Sequence, residues 1–250
     1  MRLQRGCAAG ALGLVLSLCV AADGLAAGAA DPLGRRTVDV GMSVNGRAIR
    51  AVETGDLDAK RRALVVGCIH GNEPAGIYVA NLLTHAAPPS ELDLWIVPVL
   101  NPDGVAARTR GNARGVDIDR NFPWRWRRLG GVFYSGPRPL SEPESRAAYH
   151  LITRVNPVLS IWFHQHEDVV DESGGRVAIA RRFARLVSLG LARLRSEPGS
   201  VVGWESHRDP AAAAFVVELP AGALSRQRAQ RFAHAVVTVA TANGTYDSRR

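Results

Sequence analysis

Residues 63–74 read Ala-Leu-Val-Val-Gly-Cys-Ile-His-Gly-Asn-Glu-Pro. Ala63 to Ile69 is a short apolar run with charge before it and glycine after it, a pattern that predicts a buried strand. Pro74 to His85 predicts a helix, with proline near the first turn, where its missing N–H does no harm. A buried strand that feeds directly into a helix is half of a βα unit. The polar residues between the two stand where α/β sheets build their sites, at the point where strands end and loops begin.

The same grammar continues outward. Leu92 to Leu100, Val158 to Phe163 and Phe215 to Leu219 predict further strands. Ser141-Glu142-Pro143-Glu144 predicts a helix start, with Ser141 as N-cap and Glu144 closing a capping box, and that helix runs to about Arg154. Arg176 to Arg195 reads as a basic amphipathic helix, and Leu224 to about Ala242 as a terminal helix. Gly111 to Arg138, rich in Gly, Pro and Arg, reads as loop. Strands separated by helices imply the α/β class: a three-layer α/β/α sandwich around a mixed, mostly parallel sheet.

The chain has 250 residues, 46% hydrophobic and 22% charged, enough for one sizeable packed domain and a poor match to disorder. Gly 25 and Pro 14 exclude a collagen-like or low-complexity chain. Cys7, Cys19 and Cys68 cannot build a disulfide scaffold. The net charge is +8, and Lys60 is the sole lysine, so the basicity is carried by arginine. That balance suits anionic surfaces such as a cell envelope.

Arg2 and Arg5 precede an apolar run from Cys7 to Ala22, followed by small residues, with Ala27-Gly28-Ala29 as a cleavage site and Val20-Ala21-Ala22 as the alternative. This is the three-part pattern of a secretory signal, and the run is short of the roughly 20 residues a spanning helix needs. Residues 1–29 are therefore expected to be a signal and 30–250 the working domain, periplasmic or secreted, with no membrane-spanning segment in the mature chain. After cleavage Cys68 is left alone, without a disulfide partner.

His70 and Glu73, three residues apart around Gly71, can converge on one ion if the chain turns sharply. Catalytic zinc takes three protein ligands and keeps a fourth position for water. His164, at the end of the third strand, is the candidate third ligand, and His166, on the same face by alternation, is the other. Glu218 interrupts an apolar strand end, where a carboxylate is costly without a partner. It is read as a general base that takes a proton from water made acidic by the metal and passes it to the leaving amine.

Five ordered motifs, His70-Gly71-Asn72-Glu73 among them, carry a family resemblance. The others are Asn101-Pro102-Asp103-Gly104; Arg110 to Pro123; Ser135-Gly136-Pro137 with the Ser141–Glu144 segment; and Phe215 to Gly222. Over roughly Leu64 to Gly222 the chain resembles the zinc carboxypeptidase superfamily, in particular the short bacterial branch that includes murein peptide amidases. The resemblance implies one zinc ion on His70, Glu73 and His164, with Glu218 as the general acid/base. It implies that Arg110 stabilises the developing oxyanion and that Arg120 clamps a substrate carboxylate. A small peptide or muropeptide substrate is expected, and no nucleic acid partner.

Two departures stand out. Asp119 replaces the asparagine usual beside the carboxylate-binding arginine. An ionised Asp only accepts hydrogen bonds, so the group held there is expected to carry an amine or amide, as diaminopimelate and amidated cell-wall peptides do. The alternative is that Asp119 pairs with Arg120 and orients it. The tyrosine that digestive members place before the catalytic Glu is missing, and Val201 to Ala214 offers Trp204 and His207 instead. Trp124 and Trp126, among Arg125, Arg127 and Arg128, read as a surface-packing rim. Two other functions compete: an N-acyl amino acid deacylase of the aspartoacylase/desuccinylase type, and a non-catalytic envelope binder.

Overall fold

The computed structural model describes residues 33–87, 89–195 and 197–242. The signal expected over residues 1–29 lies outside them. No helix among the described residues is long and apolar enough to cross a membrane.

Seven strands form one mixed sheet: β1 (Leu33–Met42), β2 (Ala48–Asp56), β3 (Arg62–Val66), β4 (Asp93–Val97), β5 (Leu159–Asp171), β6 (Gly190–Ala192) and β7 (Ala213–Pro220). The order is β1-β2-β4-β3-β5-β6, with β7 also paired to β5. β3 runs parallel to β4 and β5, and β5 parallel to β6 and β7. The β1–β2 and β2–β4 pairs are antiparallel. The helices are α1 (Ala75–His85), α2 (Pro102–Ala107), α3 (Pro143–Val155), α4 (Val177–Val187), α5 (Val201–Arg208) and α6 (Arg226–Thr241).

Side chains alternate across the sheet. Val65, Ile96, Ile161, Phe163, Phe215 and Val217 face α1, α4 and α6 in one core. Leu64, Val66, Trp95, Val97, Trp162 and Ala214 face α3 and α5 in the other. The sandwich expected from the sequence is the one observed.

Local details differ. β1, β2, α2, β6 and α5 were not foreseen. β5 runs on to Asp171, eight residues past the expected end at Phe163, because β7 and β6 supply partners for its polar half. α4 stops at Val187, with Ser188 left-handed at φ 59, and Gly190 then opens β6. The capping box at Ser141 does not form. Glu142 is the N-cap of α3 and Pro143 its first residue. The Glu144 carboxylate instead accepts from Val44 N at 2.9 Å and from Asn112 Nδ2 at 3.0 Å, tying the β1–β2 turn to the loop before the site.

On the buried face of α5, Glu205 accepts from Ser160 Oγ at 2.6 Å and Trp162 Nε1 at 2.8 Å. Burial pushes its carboxyl up from 4.5 to about 7, against the pull of those two hydrogen bonds. The folded state therefore holds this proton more tightly than the unfolded chain does. Stability falls as pH rises from about 4.5 to about 7, by on the order of 3 kcal/mol. Glu205→Gln keeps an acceptor for Trp162 and offers Ser160 a donor. The variant is expected to gain thermal stability over wild type at pH 8 and to lose that advantage near pH 4.5, as read by melting curves at both pH values.

Candidate metal centre

His70 follows the end of β3, and a turn closed by Glu73 N–H on His70 O at 3.0 Å brings the two side chains together. Gly71 is required there for close approach: a Cβ would lie 1.9 Å from the Gly104 carbonyl carbon. Cys68, behind this turn, donates its thiol to His70 O at 3.0 Å. Burial pushes that thiol up to about 12, so it stays protonated.

His164 comes from β5 and completes the cluster. His70 Nδ1 and His164 Nδ1 each lie 3.0 Å from Glu73 Oε2 and 3.1 Å from each other. Donors sharing one tetrahedral ion at bonds of about 2.0–2.1 Å stand about 3.3 Å apart, so this triangle is close to the required size. His166 is exposed and outside the cluster. Of the two candidates for third ligand, His164 is the one brought in.

His70 Nε2–H donates to the buried Asp117 Oδ1 at 2.9 Å, which leaves the Nδ1 lone pair facing the cluster. Lone pairs that converge at this range repel unless a cation or a proton lies among them. The electrostatics express the same demand. Burial alone would lower His70, but Asp117 and Glu73 outweigh it and raise the imidazole to about 9. Burial would raise Glu73, yet hydrogen bonds with His164 and His70 hold its carboxyl far below the usual range. Two histidines and one carboxylate are a donor set suited to zinc.

Asp117 escaped the sequence reading. Besides His70 it accepts from Asp119 N at 3.0 Å and from Arg110 Nε at 2.9 Å. Burial works to raise its carboxyl, but His70, Arg110 and Arg120 together hold it low. Asp117→Asn keeps one acceptor and loses the charge. It is expected to weaken zinc binding by about 10- to 100-fold with the fold retained, as measured by competition with a chelating dye.

Glu218 stands opposite His164 in the β5–β7 register, and its Oε2 is buried without a hydrogen-bond partner. Burial raises its carboxyl; His164 opposes this and Glu73 adds to it. Gln165 fixes the surroundings. Its side chain accepts from Ala75 N at 2.9 Å and donates to Pro220 O and Gly222 O at 2.9 Å each, joining the ligand turn to the segment after Glu218.

Arg110 reaches Glu73 Oε1 at 2.9 Å as well as Asp117, so it braces one candidate ligand and the support of another. Arg120 donates to the Asp119 carboxylate, and Asp119 Oδ1 accepts from Val201 N at 3.0 Å. Of the two readings of Asp119, pairing with Arg120 is the contact formed. Both guanidiniums lie against Phe133, 5.4 and 5.6 Å from its ring centroid. Glu73, His164, Glu218 and both arginines line one cavity of about 690 Å³, with His70 buried behind them. Trp126 donates to Ser135 O at 3.2 Å, a packing contact, while Trp124 stacks on His207 with centroids 3.3 Å apart.

The family description of zinc carboxypeptidases matches residues 29–173. The chain belongs to that family. Murein peptide amidase A of Escherichia coli (strain K12) is 28% identical over 165 residues, covering 58% of this chain and 66% of that protein, a little under two thirds of its length. Carboxypeptidase SOL1 of Arabidopsis thaliana is 34% identical over 104 residues, 35% of this chain and 21% of that one. Among solved structures, murein-tripeptide amidase MpaA from Escherichia coli O157 superposes with a TM-score of 0.66 at 24% identity, covering 82% of this chain and 91% of that one. Carboxypeptidase A from Helicoverpa armigera gives a TM-score of 0.67 at 20% identity, with 83% and 69% covered. The fold is therefore that of the carboxypeptidases, as the motif resemblance implied.

Proposed function

We propose that the protein is a zinc-dependent peptidase or amidase that hydrolyses an amide bond in small peptides, with murein-derived peptides as its substrate class. The carrying observation is the buried triangle of His70, Glu73 and His164, with Glu218 across the β5–β7 ladder from His164. His70, Glu73 and His164 would hold a zinc ion, which would supply a Lewis acid and lower the pKa of water to about 7.

The chain's own residues do the rest. Glu218 takes a proton from the attacking water through its unpartnered Oε2 and returns it to the leaving nitrogen. Arg110, 25% exposed at its side chain, lies beside Glu73 and lines the cavity, where it stabilises the oxygen that becomes negative. Asp117 holds the His70 tautomer. Arg120, oriented by Asp119, binds the substrate on the far side of the reacting bond. The amidase relatives support the choice of murein peptides. The N-terminal pattern supports export, and the +8 net charge suits an anionic envelope.

The test is mass-spectrometric digestion of a defined panel of muropeptides, ordinary peptides and N-acyl amino acids by zinc-loaded protein, with a chelated control. Chelator-sensitive cleavage of peptides supports the reading. Cleavage confined to N-acyl amino acids replaces it with the deacylase. A zinc-loaded protein that cleaves nothing in the panel is a binder.

A further inference from the structure

We infer that the Arg120 side of the site is open-ended, so that the protein cleaves amide bonds followed by two or more residues and is not confined to releasing a chain-terminal one. The inference rests on the peptidase reading above.

The first observation is the state of Arg120. The residue is only 9% exposed, and its guanidinium donates through Nη1 to the side chain of Asp119 and, at 3.2 Å, to its backbone carbonyl. Its charge is thus matched by a carboxylate on the same cavity wall. A terminal carboxylate brought against Arg120 meets Asp119 at close range, and like charges there repel. An internal peptide group carries no net charge. Its carbonyl accepts from the guanidinium and its N–H donates to Asp119, so the Asp119–Arg120 pair complements a peptide unit better than a chain end.

The second observation is what lies beyond the pair. The wall leads past Ser200 and Glu197 to the stacked Trp124 and His207, all lining the same cavity. A second depression of about 340 Å³ adjoins it and shares Trp124 and Glu197 as walls, with Arg125, Arg127 and Pro198 completing it. The passage is built. Phe122 N–H donates to Gly199 O at 2.9 Å and Gly199 N–H to Trp124 O at 3.1 Å, lacing two loops together. Gly199, at φ +75, permits this approach: a Cβ there would lie 2.3 Å from Arg120 O. A flat aromatic shelf followed by arginines and a carboxylate offers a second residue's backbone and polar side chain places to rest.

The experiment compares kcat/KM for peptides identical up to the scissile bond and carrying one, two or three residues after it, using the zinc-loaded full domain. The two-residue substrate is expected to exceed the one-residue free acid by about 10-fold or more. Asp119→Asn and Trp124→Ala are each expected to cut that ratio at least 5-fold, the first by relieving repulsion of the terminal carboxylate and the second by removing the shelf. Cleavage confined to the single terminal residue, or a ratio that neither variant moves, overturns the inference and leaves the peptidase reading intact. No cleavage of any member overturns both.

Discussion

His164→Ala protein is expected to purify without stoichiometric zinc and to show no amide hydrolysis above background. His70, Glu73 and His164 come from two separated segments, and each supplies one atom to a triangle of 3.0 to 3.1 Å edges. Two protein ligands fall short of the three that a catalytic zinc takes. The loss should extend to stability. A ligand present at a thousand times its Kd stabilises the folded state by about 4 kcal/mol, and the variant forfeits that amount. Glu73 also loses its hydrogen bond to His164, so its buried carboxylate is left less well compensated. Elemental analysis, melting curves with and without chelator, and peptide hydrolysis read the three effects separately. Wild-type protein whose melting point and hydrolysis are both indifferent to a strong chelator would remove the metal from the account altogether.

The elements legible in the sequence are those whose burial is two-sided. β3, β4 and the first halves of β5 and β7 lie between helical layers, so both faces are apolar and the runs Ala63–Ile69 and Val158–Phe163 announce themselves. β1 is exposed or half-buried along its length and β2 is mostly buried, and the alternation of both is diluted by charged residues. Asn45-Gly46, with Gly46 at φ 73, was the cue to that hairpin. The polar half of β5, His164 to Asp168, carries no strand signal, because tertiary pairing with β7 makes it one. The capping box failed for the same reason. Glu144 has the right spacing from Ser141, but a backbone N–H one hundred residues away at Val44 competes for its carboxylate and wins.

The site divides likewise. His70 and Glu73 are local in sequence, and His164 and Glu218 each follow directly on an apolar run, so motif and pattern together find them. Asp117 is 47 residues from His70 and reads as one more loop aspartate that caps its own turn, which it also does through Asp119 N. Its support of His70 exists only once the loop from Arg110 to Asn121 folds over the end of the sheet. Asp119 is the opposite case. Its partner is the next residue, and the pairing was visible as an alternative from charge alone.

Glu218→Gln is the sharpest separation of chemistry from binding that this protein permits. Glutamine has nearly the volume of glutamate, and Glu218 Oε2 makes no hydrogen bond, so the exchange breaks none at that atom. Burial and the neighbouring Glu73 both disfavour the Glu218 charge, although His164 opposes them. Removing that charge should therefore leave the melting temperature unchanged or raise it. Glutamine cannot accept the proton that water loses on attack or deliver it to the departing nitrogen. General acid–base catalysis of this kind contributes about 10²- to 10⁴-fold, and kcat is expected to fall by that factor with zinc content and KM near wild type. A variant that retains kcat within 10-fold would assign the proton transfer to another group. A variant that instead loses its zinc would make Glu218 a fourth ligand, closing the position a catalytic site must keep open.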